Sequence, residues 1–358
     1  MRIVNLRVAK VKHLLPPAEL KQLFPSSIEL REEIHQKRQD ISDIIHKRAK
    51  RFLVIVGPCS VHDEDAALEY ARRLSNLRKT VLDQIYIVMR IYFEKPRTTI
   101  GWKGLINDPY MDGSNDIEEG LKVARRLLLK TAEMDLPVAT EFLDPIIPQY
   151  IDDLVCWAAI GARTTESQTH RELASGLSMP VGLKNSTDGR LQTAIDAMAA
   201  CHASHSFVGI DEQGITSVIR TTGNEDTHVV LRGGRTPNYT KDCIQMSIEQ
   251  LKDEGMLSSL VVDCSHANSA KRHERQAIVW DDIIAQRLEG NDNIIGAMVE
   301  SNINEGTQPL PTPKEGVPDI RSLLQYGISV TDSCMGWADT ERMILSGYEK
   351  LKASDSLA

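Results

Sequence analysis

From residue 51 onward, short and nearly unbroken apolar runs alternate with stretches of helical periodicity, and this alternation limits the folds open to the chain. Continuous apolar runs are what strands buried on both faces of a parallel sheet require. They fall at 52–59, 85–93, 137–143, 157–163, 180–184, 228–234, 260–266 and 294–301. Helical segments read at 65–77, 118–132, 191–200, 243–254 and 281–288, with a last one near 339–351. Eight strands alternating with helices is the count of a closed (β/α)8 barrel, an α/β fold. One extended segment, 207–220, is surplus and reads as a β-hairpin with its turn at 211–214. We place it as an insertion of about 205–222 before the sixth barrel strand, because its first strand ends in no chemically loaded side chain. Residues 1–48 stand apart as an N-terminal helical arm, leaving 49–358 as the barrel domain. In the arm, Leu14-Leu-Pro-Pro17 breaks any helix and Ser26-x-x-Glu29 resembles a capping box. Leu30, Ile34, Ile41, Ile44 and Ile45 then form one apolar stripe, to lie on the arm's own domain or on a neighbouring subunit.

In such a barrel the working side chains come from the C-terminal strand ends and the loops after them. Those ends give, in order, Cys59, Arg90, Glu141, Arg163, Lys184, Arg232, His266 and Glu300, with Asp332 in the loop after the eighth strand. Two chemically coherent sets emerge. Cys59, His266, Glu300 and Asp332 offer a thiolate, an imidazole and two carboxylates, a mixed set suited to one divalent transition ion. The oxygen ligands lean towards Mn²⁺ or Fe²⁺, while the thiolate keeps Zn²⁺, Co²⁺ and Cu²⁺ open. Singly, each reads as ordinary packing; four at one end of one barrel do not. The second set is Arg90, Arg163, Lys184 and Arg232, joined by Lys95, Arg97 and Thr98 from the loop after the second strand, which also carries Thr99 and Lys103. Cations gathered at one mouth repel one another unless anions sit among them, and their number suggests more than one anionic group. Pro96 and Gly101 fix and bend that loop. In Arg232-Gly-Gly-Arg235 the glycines would let backbone amides approach an oxyanion. The competing expectation is that some of these arginines pair with Glu141, Glu166 or Asp144.

Composition narrows the partners. A net charge of −8 over 358 residues argues against a nucleic-acid surface and leaves a small anionic ligand as the natural target of clustered cations. The six cysteines are scattered without a CxxC pair, as reduced thiols are. The first ten residues lack the apolar core of a signal peptide, and no run reaches membrane-spanning length. The expected compartment is the cytoplasm.

Several longer stretches carry a resemblance. Val56-Gly-Pro-Cys-Ser60, Phe93-Glu-Lys-Pro-Arg-Thr-Thr99, Gly101-Trp-Lys-Gly-Leu-Ile-Asn-Asp-Pro109, Gly161-Ala-Arg-Thr-Thr-Glu-Ser-Gln168, Leu231-Arg-Gly-Gly234 and Asp263-Cys-Ser-His266 resemble the type I, feedback-regulated 3-deoxy-D-arabino-heptulosonate-7-phosphate (DAHP) synthases. The likeness covers nearly the whole chain, arm and hairpin included. It implies condensation of phosphoenolpyruvate with erythrose 4-phosphate at the entry of the shikimate pathway. The family's metal ligands fall on Cys59, His266, Glu300 and Asp332. Its phosphoenolpyruvate contacts fall on Arg90, Lys95, Arg163, Lys184 and Arg232, and its sugar-phosphate site on Arg97 and Thr98. Lys95 would supply a proton and Glu141 would orient or deprotonate the attacking water. Ser186 departs from the family, whose members usually carry Gly there.

The resemblance also implies a homodimer or homotetramer with an aromatic amino acid bound at a subunit contact, near Pro148, Gln149, Leu177, Ser178 and Phe207. Gly209 stands where phenylalanine-sensitive relatives tend to carry Ser, and the room it leaves favours tyrosine. Two other readings compete. One is a metal-free Schiff-base aldolase using Lys184 or Lys95; the other is a catalytically silent regulator that binds metal and anions.

Overall fold

The computed structural model describes residues 3–311 and 319–355. Its strands are β1 (Phe52–Gly57), β2 (Ile85–Arg90), β3 (Val138–Glu141), β4 (Trp157–Ile160), β5 (Val181–Lys184), β6 (Ser206–Ile210), β7 (Thr216–Arg220), β8 (Thr227–Leu231), β9 (Leu260–Asp263) and β10 (Ile294–Glu300). Eight of them close in the order β1-β10-β9-β8-β5-β4-β3-β2, while β6 and β7 form a separate antiparallel pair. The closed sheet is parallel throughout. Every residue of the barrel strands is buried, which is why they read as unbroken apolar runs; β6 and β7 stay largely accessible. The fold is thus a (β/α)8 barrel with an extra hairpin.

The helices are α1 (Pro17–Leu23), α2 (Ile28–Ile45), α3 (Glu64–Val81), α4 (Ile117–Ala132), α5 (Pro148–Ile151), α6 (Gln168–Ala174), α7 (Gln192–His202), α8 (Lys241–Asp253), α9 (Gln276–Leu288) and α10 (Trp337–Asp355). Sequence periodicity missed α1, α5 and α6, each too short to repeat an apolar face. Pro17 opens α1 instead of breaking it, since a first-turn residue needs no amide donor. The cap of α2 is Ser27, not Ser26: its hydroxyl accepts from Leu30 N at 3.1 Å.

From Leu15 onward the arm rests on its own barrel. Buried Arg125 donates to Phe24 O (2.9 Å) and Tyr150 O (3.1 Å) and grips both carboxylate oxygens of Asp153. Tyr150 Oη donates to Leu15 O at 3.0 Å, and Ala18 N to Glu212 O in the hairpin turn at 2.8 Å. Among the described residues no helix is long and apolar enough to cross a membrane.

Several strands end one to three residues sooner than their apolar runs. Cys59, Arg163, Arg232 and His266 therefore lie on the loops just beyond β1, β4, β8 and β9. Leaving the ladder frees these side chains to turn into the mouth. At β1 the exit depends on Gly57, with φ of 155°: a Cβ there would lie 2.5 Å from Arg90 O. Gly57 pairs with Glu300, so Cys59 emerges between the ends of β2 and β10.

Candidate active site

Closure of the barrel gathers the mixed ligand set. Atoms of Cys59, Glu300 and Asp332 lie within 4.8 Å of one another, and Cys59 Sγ is 3.5 Å from Asp332 Oδ2. His266 stands next to this trio on the adjacent loop, with Nε2 3.9 Å from Glu300 Oε1, but its ring nitrogens do not come within 4.8 Å of all three ligand atoms. Its Nδ1 faces Asp263 Oδ2 at 2.9 Å and Ser265 Oγ at 2.7 Å, so the ring is held from behind. One sulfur, one ring nitrogen and two carboxylates converging from three loops and a strand end match the donors of a divalent transition-ion site.

Cations surround this cluster. Lys95 Nζ stands 2.8 Å from Cys59 Sγ and 2.9 Å from Asp332 Oδ2. Arg90 is fully buried; it donates to Glu300 Oε1 at 3.0 Å and to the carbonyls of Pro58 and Cys59, and stacks on the Tyr92 ring at 3.7 Å. Burial pushes the Cys59 thiol up to about 11, with Glu300 adding to the shift. Burial alone would raise the Asp332 carboxyl too, but Lys95 outweighs it and holds that group well below the ordinary range. For Lys95 burial works against the charge; the sulfur of Cys59 and the carboxylates of Glu300 and Asp332 overcome it and keep the amine firmly protonated.

A cavity of about 300 Å³ opens on this group at the barrel mouth. It is lined by Arg90, Lys95, Arg97, Thr98, Thr99, Glu141, Arg163, Lys184, Arg232, His266, Glu300 and Asp332. Of the eleven residues that the resemblance assigns to metal and substrates, together with Glu141, all but Cys59 line this cavity, and Cys59 lies directly beneath Lys95. Arg90, Lys95 and Lys184 are ion-paired, with Glu300, Asp332 and Asp263. The guanidinium groups of Arg97, Arg163 and Arg232 make no ion pair with any described residue. The loop carrying Arg97 is tied by Lys95 N to Lys103 O (2.8 Å) and by Arg97 Nε to Trp102 O (2.7 Å). Glu141, 7% exposed, turns its carboxylate to the cavity beside Gly161.

Some expectations fail. The amides of Gly233 and Gly234 donate to Asn238 Oδ1 and Thr236 O, so they are not open to an oxyanion. Those glycines serve close packing instead, since a Cβ at 233 would lie 2.9 Å from Asn268 N and one at 234 would run into Gly189. Lys103 lends its carbonyl to the loop, and its side chain does not line the cavity. None of the four strand-end cations pairs with Glu141, Glu166 or Asp144; Glu166 meets Arg190 at 3.6 Å instead. The Ser186 hydroxyl bonds Asp188 and Arg190 O, and Ser186 does not line the cavity. Residue-by-residue reading missed Lys271 and Ser265, which line the cavity, and Asp263 behind it. Only the Asp263-x-x-His266 spacing at a strand end hinted at the last.

The six effector candidates sit around the hairpin's side of the barrel. Pro148 and Gln149 begin α5, against which α1 packs; Leu177 and Ser178 follow α6, which packs on β6; Phe207 and Gly209 lie on β6 itself. A methyl group at 209 would stand 2.9 Å from Ile219 Cγ1 on the paired strand.

Comparison with known proteins finds relatives over nearly the whole chain. The model of the DAHP synthetase I family matches residues 27–344. The Tyr-sensitive phospho-2-dehydro-3-deoxyheptonate aldolase of Escherichia coli K12 is 52% identical over 347 residues, 97% of this chain and 96% of the relative. The Phe-sensitive enzyme of the same strain is 48% identical over 349 residues, 98% and 97% of the two chains. A solved phospho-2-dehydro-3-deoxyheptonate aldolase from Francisella tularensis SCHU S4 superposes with a TM-score of 0.91 at 44% identity, covering 97% of this chain and 99% of that one. The chain belongs to the DAHP synthetase I family.

Proposed function

We infer that this enzyme condenses phosphoenolpyruvate with erythrose 4-phosphate and water to give DAHP and phosphate, under feedback control by an aromatic amino acid. The observation that carries the reading is a cation-lined cavity opening directly on the Cys59, His266, Glu300 and Asp332 donors. Those four residues would hold one divalent ion, Mn²⁺ foremost, with Fe²⁺, Co²⁺ or Zn²⁺ as substitutes. When bound, the ion supplies Lewis-acid polarisation of the aldehyde and stabilises the negative charge developing on its oxygen.

The side chains account for the remaining steps. Arg163, Arg232, Lys184 and Arg90 hold the carboxylate and phosphate of phosphoenolpyruvate, while Arg97 and Thr98 take the sugar's phosphate. Their charge brings two mutually repelling anions into attack geometry. Carbon 3 of phosphoenolpyruvate then bonds to the aldehyde carbon, and Lys95 gives its proton to the aldehyde oxygen. Glu141 orients and deprotonates the water that adds at carbon 2, after which the carbon–oxygen bond to phosphate breaks and phosphate departs. A Schiff-base route through Lys95 needs a neutral amine, whereas its surroundings keep that group an ammonium.

Tyrosine is the favoured effector, supported by the Tyr-sensitive relatives at 52–53% identity, whereas the space beside Gly209 is filled by Ile219. We assign the enzyme to the cytoplasm as a homodimer or homotetramer, with the arm (1–48) and hairpin serving effector and subunit contacts to the barrel (49–358). Phosphate release from phosphoenolpyruvate tests the reading. Release should require erythrose 4-phosphate, stop with chelator, return with Mn²⁺, and fall most with tyrosine. Release without the sugar, or none with any divalent metal, defeats it.

A further inference from the structure

Asp263 is completely buried at the end of β9, behind the cavity wall. Its two oxygens divide their work. Oδ1 accepts from Ser265 N (3.0 Å) and Ser265 Oγ (2.7 Å), which fixes the carboxylate plane. Oδ2 meets Lys184 Nζ at 3.3 Å and His266 Nδ1 at 2.9 Å. The backbone is fixed as well: Asn268 Nδ2 donates to Asp263 O at 2.9 Å, and Asp263 is paired with Met298 across the sheet. One oxygen therefore holds a side chain from each half of the site, the imidazole on the metal side and the ammonium on the phosphoenolpyruvate side.

We propose that Asp263 is a positioning residue that couples the metal site to the phosphoenolpyruvate site through this shared oxygen. The inference rests on the functional reading above. With Nδ1–H shared between Asp263 Oδ2 and Ser265 Oγ, the lone pair of His266 is left on Nε2, the nitrogen turned towards Glu300. The same oxygen keeps the Lys184 ammonium against the wall until a substrate carboxylate or phosphate draws on it. A ligand that engages Lys184 frees Oδ2 to bond His266 more strongly, and a metal on Nε2 makes Nδ1–H a stronger donor. Each event favours the other, and the factor must be the same in both directions.

The test needs no turnover. In the full-length metal-free protein, nitrogen NMR of the His266 ring should find the proton on Nδ1; a proton on Nε2 instead overturns the proposal without any variant. Mn²⁺ is then titrated with and without saturating phosphoenolpyruvate, in wild type and in Asp263→Asn. The variant keeps the shape and an acceptor for Ser265 but sets an amide against two donors. Mn²⁺ affinity should fall by about 10- to 100-fold. The factor by which phosphoenolpyruvate tightens Mn²⁺ should drop towards one while the melting temperature confirms a folded protein. A wild-type factor of one, or a variant with unchanged affinities or unchanged coupling, sinks the idea. Should wild-type protein bind both ligands yet release no phosphate with erythrose 4-phosphate, the functional reading fails while the titrations still decide the role of Asp263.

Discussion

Replacing Gly161 by alanine tests the role of Glu141 without touching it. Gly161 follows β4, beside Glu141 at the end of the neighbouring β3. A Cβ built there lies 3.0 Å from the Glu141 carboxyl carbon and deep inside contact distance of Oε1. The backbone itself accepts alanine, since Gly161 is absent from the positive-φ positions. What must yield is the tip of a flexible side chain, and retreat by about 1 Å restores ordinary contact. Stability should therefore barely change, because the entropy lost by the unfolded chain, about 0.4–1 kcal/mol, offsets the local crowding. Catalysis has no such tolerance: misplacement by about 1 Å costs about 100-fold, or ~2.7 kcal/mol in the barrier.

Steady-state phosphate release gives the decisive numbers. Gly161→Ala should lose about 100-fold in kcat with near-normal KM for both substrates and a melting temperature within a few degrees of wild type. Adding it to Glu141→Gln should cost almost nothing further, because both act through one carboxylate. Wild-type turnover in Gly161→Ala, or a loss that adds in full to that of Glu141→Gln, refutes the assignment of Glu141 to the water.

Three further outcomes are expected. Arg97→Ala should raise KM for erythrose 4-phosphate at least tenfold more than KM for phosphoenolpyruvate, by loss of roughly 1.5–3 kcal/mol of charged hydrogen bonding; equal changes in steady-state kinetics argue against the role. With burial pushing the Cys59 thiol up to about 11, the thiol is protonated near neutrality, so an ion taken up as thiolate ligand must release that proton. Mn²⁺ affinity should then rise up to about tenfold per pH unit between pH 6 and 9, and calorimetry in buffers of different ionisation enthalpy should find one released proton that disappears in Cys59→Ala. Burial also pushes the Glu94 carboxyl up to about 8 from 4.5, against long hydrogen bonds from the Leu143 and Asp144 amides. The folded state thus binds more protons, and this stability is complete below pH 4.5 and lost as pH rises through 8. In urea unfolding, Glu94→Gln should flatten that decline by up to roughly 3–5 kcal/mol between pH 5 and 9, and an unaltered profile excludes the buried carboxyl as its cause.

The barrel was legible because parallel strands buried on both faces must be apolar without interruption, and a polar residue closing such a run stands out. Arg90, Glu141, Lys184 and Glu300 sit at the ends of β2, β3, β5 and β10 for that reason. The limits have physical causes too. Periodicity needs two or more turns, so the four residues of α5 and seven of α6 passed unseen. The amides of Gly233 and Gly234 looked available because a sequence does not reveal that Asn238, five residues after Gly233, folds back onto its amide. Lys271 sits in a left-handed turn with Ala270, with φ of 60° and 53°, whose course no local pattern announces.

Depth separates two kinds of charge in this mouth. Arg90 with Glu300 and Lys184 with Asp263 lie deepest, with side-chain exposures of 2%/1% and 4%/0%, and each is locked in a pair. Arg97 and Arg163 lie at the exposed rim, Arg232 is half-buried, and none of the three has an ionic partner among the described residues. The order follows from solvation: deep charges survive only when matched, while rim charges keep enough water to wait for an anion. Truncating Arg90 therefore strands Glu300 and should cost roughly 3–5 kcal/mol of folding stability, whatever it does to catalysis. Truncating Arg163 leaves no buried charge behind, so its loss should appear in phosphoenolpyruvate affinity with the melting temperature nearly unchanged. Equal thermal losses from the two variants would mean that the mouth is held together as one network, and the division of labour between pairing and substrate capture would have to be abandoned.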